Sequence, residues 1–525
     1  MDSNRLSTGS AVETGADIDP GERRLNELGY KQELKREVSL LKCVGFGFST
    51  VGLFAGILLY GPSFAYTGPV GLVWGWFIVS FFTGFIALAL AEICSSFPTT
   101  GSLYFWTAHL AGPRYGPFAS WVCAWLEIVG IIAGAGSQAY SGAQVLQYIV
   151  LLSTGTNKDG GYFASRGVFY SIYFGLCLIW AILNTFALKI VAIIDVVSLY
   201  WQVVGGALII ILVPLIAPVT QSAKYVFTHY EKSTELTGVH SNPYALVLSL
   251  LFSQFTLLGY DAPAHLTEET KNADRNGPMA ILVTIGLMFS VGCGVILSLT
   301  FSIQDPAYLF DPSNETGGGF VAAQILYGAF YGRYGSGTGA VVLLCVIWGH
   351  FLLFRPILHN ERCSRFYALS RDGGIPGSRI WKKLHPIYKV HANAVWLSSF
   401  ITALIGLPVL GTNVAFTAII SVASIGVMGS YAIPIFLRMI MPRKNFTPGP
   451  FHLGKASRAI CTVAFLWICY SSSVFLLPTL YPLTWESFNY APVALGVVLS
   501  FIMSWWILDG RKWFSGPVRN IIVDK

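Results

Sequence analysis

Two long apolar stretches of this chain carry residues that an unbroken membrane helix would avoid: GFGFSTVGLFAGI, from Gly45 to Ile57, and LLGYDAPAHLTEE, from Leu257 to Glu269. A continuous spanning helix satisfies its own peptide groups, so a cluster of glycines or a Gly-Tyr-Asp-Ala-Pro run at mid-depth predicts backbone released to bind something other than lipid. A solute carrier requires such backbone.

The surrounding composition makes the membrane setting firm. Apolar residues are 54% of 525 positions, charged residues 11%, and mean hydropathy is +0.60, a balance outside the range of soluble domains. Windows of about 20 apolar residues, the length that crosses a hydrocarbon core of about 30 Å, number twelve. They lie near 43–65, 70–93, 118–150, 168–188, 190–216, 244–267, 279–303, 338–358, 394–411, 413–437, 459–478 and 491–509. The expected fold class is therefore an all-α polytopic membrane protein with 12 transmembrane helices. The expected organisation is a cytosolic, partly disordered segment at 1–40, one membrane domain at 41–510 and a cytosolic tail at 511–525.

With the N-terminus placed inside, 27 of the 33 Lys and Arg residues fall on the cytosolic side and five outside, Arg355 lying within a span. This asymmetry is the positive-inside signature. The net charge of +7 then reflects topology and anionic lipid, and gives no reason to expect nucleic acid. Nine cysteines, mostly within spans, read as small buried residues. The outer loop from Ser153 to Arg166 has no cysteine, so a disulfide-linked ancillary subunit is not expected. The sequon at Asn314 falls in a loop placed outside, where it is a candidate glycosylation site. Plasma membrane and internal membrane are both compatible with these features.

The breaks occupy the first and sixth windows. If spans one to five and six to ten form two halves of inverted topology, a five-plus-five repeat, the broken helices 1 and 6 meet near the midplane. In the first, Ser49, Thr50, Val51, Gly52, Leu53 and Gly56 can unwind, and amides at the start of the second half would seat a carboxylate. The alternative is that these glycines only let helices approach closely. In the second, Gly259 and Tyr260 interrupt the helix, Asp261 or Ala262 can cap its continuation and Pro263 suits a first turn. An N-cap role for Asp261 competes with contact to a substrate amine, and Tyr260 is either a pocket lid or simple packing.

Glu92, Glu268 and Glu269 lie at the cytosolic ends of spans two and six. They are candidate gating groups, with Arg371 as a partner, against the simpler reading of solvated interfacial charge. Glu127, Asp195, His350 and Arg355 lie inside spans, where charge is costly and usually functional. Glu127 and Asp195 are candidate proton carriers, and either can be the anion that Arg355 requires; a fixed internal ion pair is the alternative. The eighth window, AVVLLCVIWGHFLLFRPIL from Ala340, lacks the Ser and Thr hydroxyls of a usual sodium site, which predicts sodium-independent transport. No nucleotide-binding loop, HExxH or paired Cys-x-x-Cys occurs, so neither an enzyme nor an ATP-driven pump is expected, and no cofactor or metal.

LNELGYKQELKRE, AEICSSFPTTGSLYFW, LAGPRYGPFASW, GYDAPAHLTEETKNADRNGP, SRDGGIP, YAIPIFLR and FTPGPFHLGK together resemble the amino acid-polyamine-organocation superfamily. Within it they resemble the amino acid/choline permeases that include GABA permeases, and most closely plant bidirectional amino acid transporters. The resemblance runs from about Leu25 to Ile522. It implies five plus five inverted repeats with two added helices, a pocket on Ser49 to Gly56 and on Gly259, Tyr260 and Asp261, and a small amino acid, GABA or a related amine as substrate. The chain departs from the pattern in three places. Ser364 stands where similar proteins carry an arginine, HFLLFRPILHNE is unusual for span eight, and Glu127 and Asp195 replace uncharged or small residues. The reading is a secondary carrier working by alternating access. A non-transporting amino-acid sensor and a choline or polyamine carrier are the alternatives.

Overall fold

The computed structural model describes residues 19–27, 36–381, 383, 385, 390–411, 414–442 and 446–517, with side chains excepted at 25, 188, 189, 192, 195, 354–365, 367 and 368. The side chains of Asp195 and Arg355, with those of Arg362, Ser364 and Arg365, thus lie outside the described residues. All regular elements among the described residues are helical. In chain order they are α1 (Pro20–Glu27), α2 (Leu40–Val51), α3 (Tyr60–Ser96), α4 (Ser102–Thr154), α5 (Arg166–Phe186), α6 (Leu188–Ile216), α7 (Ala223–Thr228), α8 (Thr234–Thr237), α9 (Asn242–Ser249), α10 (Leu251–Thr256), α11 (Ala273–Phe301), α12 (Val321–Tyr334), α13 (Thr338–Arg371), α14 (Ser378–Trp381), α15 (Ala392–Gly406), α16 (Ala415–Ile440), α17 (Ser457–Val474) and α18 (Ala491–Leu508). Nine helices among the described residues are long and apolar enough to cross a bilayer, and two shorter apolar helices, Leu40–Val51 and Thr338–Leu353, accompany them.

The nine long helices overlap nine of the twelve apolar windows, and the eighth window is met by the shorter Thr338–Leu353. Windows one and six do not appear among the long helices because each is split, so neither half alone reaches spanning length. α3 is itself divided by Gly68 (φ 65°, ψ −155°) followed by Pro69. A left-handed residue costs a side chain with a Cβ about 1–2 kcal/mol, and proline cannot donate to the preceding turn. The helix therefore ends and restarts there, which joins the first window to the second. The short helices α7, α8 and α12 have no counterpart among the apolar windows; their order comes from packing over the bundle ends.

α4 and α16 form the central crossing. At Gly130 an added Cβ would meet Val427 N at 2.5 Å, and at Gly426 it would meet Gly130 Cα at 2.6 Å. Two backbones this close bring whatever lies a turn away on each helix into the same space, as small residues do between membrane helices. Here those residues are Glu127 and Tyr431. Five of the described cysteines are buried, but Cys345 and Cys469 are exposed on the outer surface of the bundle, so the expectation of buried thiols holds only in part.

Candidate functional site

The first break opens at Gly52. α2 ends there because Gly52 takes φ 74°, its N–H still donating to Phe48 O at 3.4 Å, and regular helix resumes only at Ile57 through a single 3-10 turn. Between them the chain is held by side chains. Gln202 of α6 accepts from Leu53 N at 3.1 Å and donates to Ser49 O at 3.5 Å, so one carboxamide replaces two helical partners. Thr50 donates to Phe46 O at 2.8 Å. Ser49 Oγ is buried without a hydrogen-bond partner, a donor inside the break. The His350 ring meets the edge of Phe54 at 5.8 Å, which places α13 against the same segment. The other glycines serve packing instead, since a Cβ on Gly47 would strike Pro263 at 2.8 Å and one on Gly56 would overlap Thr256. The glycines of this cluster thus divide, Gly52 ending the helix and Gly47 and Gly56 allowing close packing.

At the second break α10 ends at Leu257, Gly259 takes φ 90°, and the chain restarts as a 3-10 turn over Ala262–Leu266 with Pro263 in its first turn. Asp261 is the residue before that turn, yet its side chain makes no capping hydrogen bond. The expected N-cap role is corrected: the carboxylate is drawn to other partners. Tyr431 of α16 donates to Asp261 Oδ1 at 2.5 Å, and His265, one turn along, approaches Oδ2 at 3.2 Å. His265 Nε2 also lies 3.7 Å from Glu127 Oε1 of α4. Glu127, Asp261 and His265 are all buried, with one ligand atom from each inside 4.8 Å, the donor set among the described residues that would accept a cation. Tyr260 is 1% exposed and its ring lies 5.7 Å from that of Tyr431. The two breaks lie close together: a Cβ added on Gly259 would come 3.6 Å from Thr50. Thr50 of the first break thus lies beside Gly259 of the second, two residues from Asp261 and its neighbours Glu127, His265 and Tyr431.

The expected gating residues arrange differently. Glu92 is 1% exposed; it accepts from Leu453 N at 3.1 Å and Ser457 Oγ at 2.5 Å and pairs with Arg438 Nε at 3.3 Å. Arg438 in turn stacks on the Phe446 ring at 3.8 Å. The expected Glu92–Arg371 pair is corrected, because Arg371 is exposed and pairs with its neighbour Asp372, at 3.4 Å. Glu268 accepts from Thr100 N at 3.3 Å. Glu269 is half-buried, and burial followed by repulsion from Glu268 raises its pKa. A strap from the N-terminal segment closes this side: Arg36 donates to Thr270 O at 2.8 Å, Arg24 to Ser96 O at 3.1 Å, and Asp19 accepts from Asn272 N at 2.8 Å.

Asn314 also requires correction. It is fully buried; its Nδ2 donates to Tyr308 O and Leu309 O, and its Oδ1 accepts from Thr316 N and Gly318 N. With both amide hydrogens used inside the loop, the folded sequon has no room for a glycan and serves as a turn brace. Glu315 of the same loop pairs with Lys158 of the α4–α5 loop at 3.1 Å.

Four residues of these sites escape a reading of the sequence: Gln202, His265, Tyr431 and Arg438. His265 stands four residues after Asp261, one helical turn, and that spacing is a usable signal. Gln202 is visible as a lone amide in an apolar run. Tyr431 and Arg438 offer none, since their partners lie 170 and 346 residues away in the chain.

A carboxylate, a carboxamide, hydroxyls and released peptide groups around two opposed helix breaks suit a zwitterion. Residues 38–499 match the profile of the family described as amino acid permease. The chain belongs to that family. It is 44% identical to the amino-acid permease BAT1 homolog of Oryza sativa subsp. japonica, over 97% of this chain and 98% of the relative. It is 43% identical to amino-acid permease BAT1 of Arabidopsis thaliana, over 96% and 98%. It is 28% identical to amino-acid permease 2 of Neurospora crassa, over 95% and 90%. The permease is thus a transporter and not an enzyme, an integral multi-pass membrane protein whose substrates are amino acids.

Proposed function

We propose that this permease carries small amino acids or GABA by alternating access, with twelve spans in a five-plus-five inverted repeat and both termini in the cytosol. The proximity of Thr50 to Gly259, where an added Cβ would come within 3.6 Å of Thr50, carries this reading, because it brings the two breaks close enough for a single small zwitterion to touch both. The substrate carboxylate sits against the first break, near the Ser49 hydroxyl. The ammonium sits at the second, against helix carbonyls and the Asp261 carboxylate, under Tyr260. Binding draws the half-helices together, and rocking of one repeat against the other changes the side exposed. Opening to the strapped side requires Glu92 and Arg438 to part and the Arg36 contacts to release.

Coupling is to protons, with Glu127 as the carrier, since its carboxylate reaches the Asp261–His265 pair directly. Transport is sodium-independent. The test is uptake and efflux in proteoliposomes with a panel of labelled amino acids, GABA, polyamines and choline, with pH and sodium varied. Uptake of small amino acids or GABA that survives sodium replacement supports the reading; strict sodium dependence or exclusive choline transport refutes it. Glu127→Gln should flatten the pH dependence of uptake while leaving substrate exchange intact. Counterflow separates carrier from sensor, because binding without exchange is what a sensor would give.

A further inference from the structure

A large cavity lies away from the breaks, as a crevice of about 850 Å³ between α18 and the rest of the bundle. Trp125 of α4, Trp381 of α14, Ile401 of α15, Ile419 of α16, and Val498 and Phe501 of α18 line it. Every lining side chain is apolar or aromatic. Of α18 only Ala491 and Ile502 are buried, so this helix stands off from its neighbours with bilayer on its outer side and the crevice on its inner side. Leu397, Ile401, Ile405 and Pro408 line successive turns of one span, a run of about 17 Å at 1.5 Å per residue, roughly half the hydrocarbon core. An apolar space of this kind is not filled by water, and the surrounding solvent is acyl chain.

The Trp381 side carries exposed cations, since Arg379 and Lys383 flank Trp381 and are exposed. Basic residues at a membrane surface attract acidic headgroups at about 1 kcal/mol per residue.

We propose that the crevice binds one anionic phospholipid, an acyl chain lying between α18 and the α4–α15–α16 wall and the phosphate resting at Arg379 and Lys383, beside Trp381. The lipid would act as the packing partner that α18 lacks. This site is independent of substrate binding at the two breaks and stands whatever the transported solute.

Native mass spectrometry of the full-length permease, stripped of lipid in detergent and titrated with phosphatidylglycerol or phosphatidylcholine, tests it. The expected result is one retained phosphatidylglycerol, preferred at least about tenfold over phosphatidylcholine. The double variant Arg379→Ala, Lys383→Ala, which touches only exposed groups and should remain monodisperse, is expected to lose that preference. Val498→Trp, which fills the slot, is expected to lose the retained lipid altogether. Equal retention of both lipids, an unchanged preference in the double variant, or a lipid-free dimer that disulfide cross-linking maps to α18 would overturn the proposal.

Discussion

The two breaks solve the same problem with different chemistry. At the first, the freed backbone is held by a neutral amide, Gln202, and faced by the Ser49 hydroxyl and the His350 ring. At the second, the restart is surrounded by two carboxylates, an imidazole and a phenol, contributed by α4, the break itself and α16. Neutral dipoles can accept an anion at little electrostatic cost, whereas buried carboxylates favour a cation. On the proposed function they form together a polarised seat for the two ends of an amino acid, and the polarity comes from the helices facing each break as much as from the breaks.

The largest expected effect is at the ionic break. Asp261→Asn removes one partner of a buried charged group, a change worth about 3 kcal/mol or more, and should lower uptake about 100-fold while the protein remains monodisperse by size exclusion. Uptake within about threefold of wild type would place the ammonium elsewhere. At the neutral break, Gln202→Leu strips the side-chain acceptor from Leu53 N–H, costing about 1–3 kcal/mol. The half-saturation concentration should rise about tenfold with maximal velocity largely kept; an unchanged value would show that Gln202 only packs. Gly52→Ala forces a Cβ into a left-handed conformation at about 1–2 kcal/mol and should lower the melting temperature by a few degrees, whereas a rise would mean that the break is not held in this geometry.

The smallest effect lies outside both breaks, at Glu315, and provides a control for the comparison. Burial raises its pKa, but the hydrogen bonds from Gln324 and backbone and the Lys158 ammonium outweigh burial, and the net shift is downward. A carboxylate with a lowered folded pKa contributes stability above its unfolded value and loses it as pH falls through the folded one. The melting-temperature gap between wild type and Glu315→Gln should therefore be present at neutral pH and shrink below the ordinary carboxylate range. A gap that is constant with pH would deny the ion pair any role.

What can be read from the chain divides along a physical line. Gly52, Gly259 and Pro263 declare the breaks because their backbone preferences are local, and the apolar windows declare the spans because hydropathy is additive. The partners stay hidden because they are set by packing between distant helices. A residue just ahead of a first turn that carries proline commonly caps, as expected of Asp261, but Tyr431 and His265 take its oxygens instead. Arg371 and Glu92 lie on one side of the membrane in the sequence, while Arg438, at the end of α16, is nearer to Glu92 and already anchored on Phe446. Asn314 reads as a sequon, yet its amide is consumed by its own loop.

Whether one substrate molecule bridges both breaks can be asked with substrate-dependent protection of single cysteines in proteoliposomes. Thr50→Cys and Gly259→Cys, in an otherwise cysteine-free and transport-competent background, would be labelled with a small thiol reagent while transported amino acid is varied. The same substrate concentration is expected to protect both positions, since a shared seat fills at both breaks at once. Protection of neither position by a substrate that is still transported would contradict the shared seat.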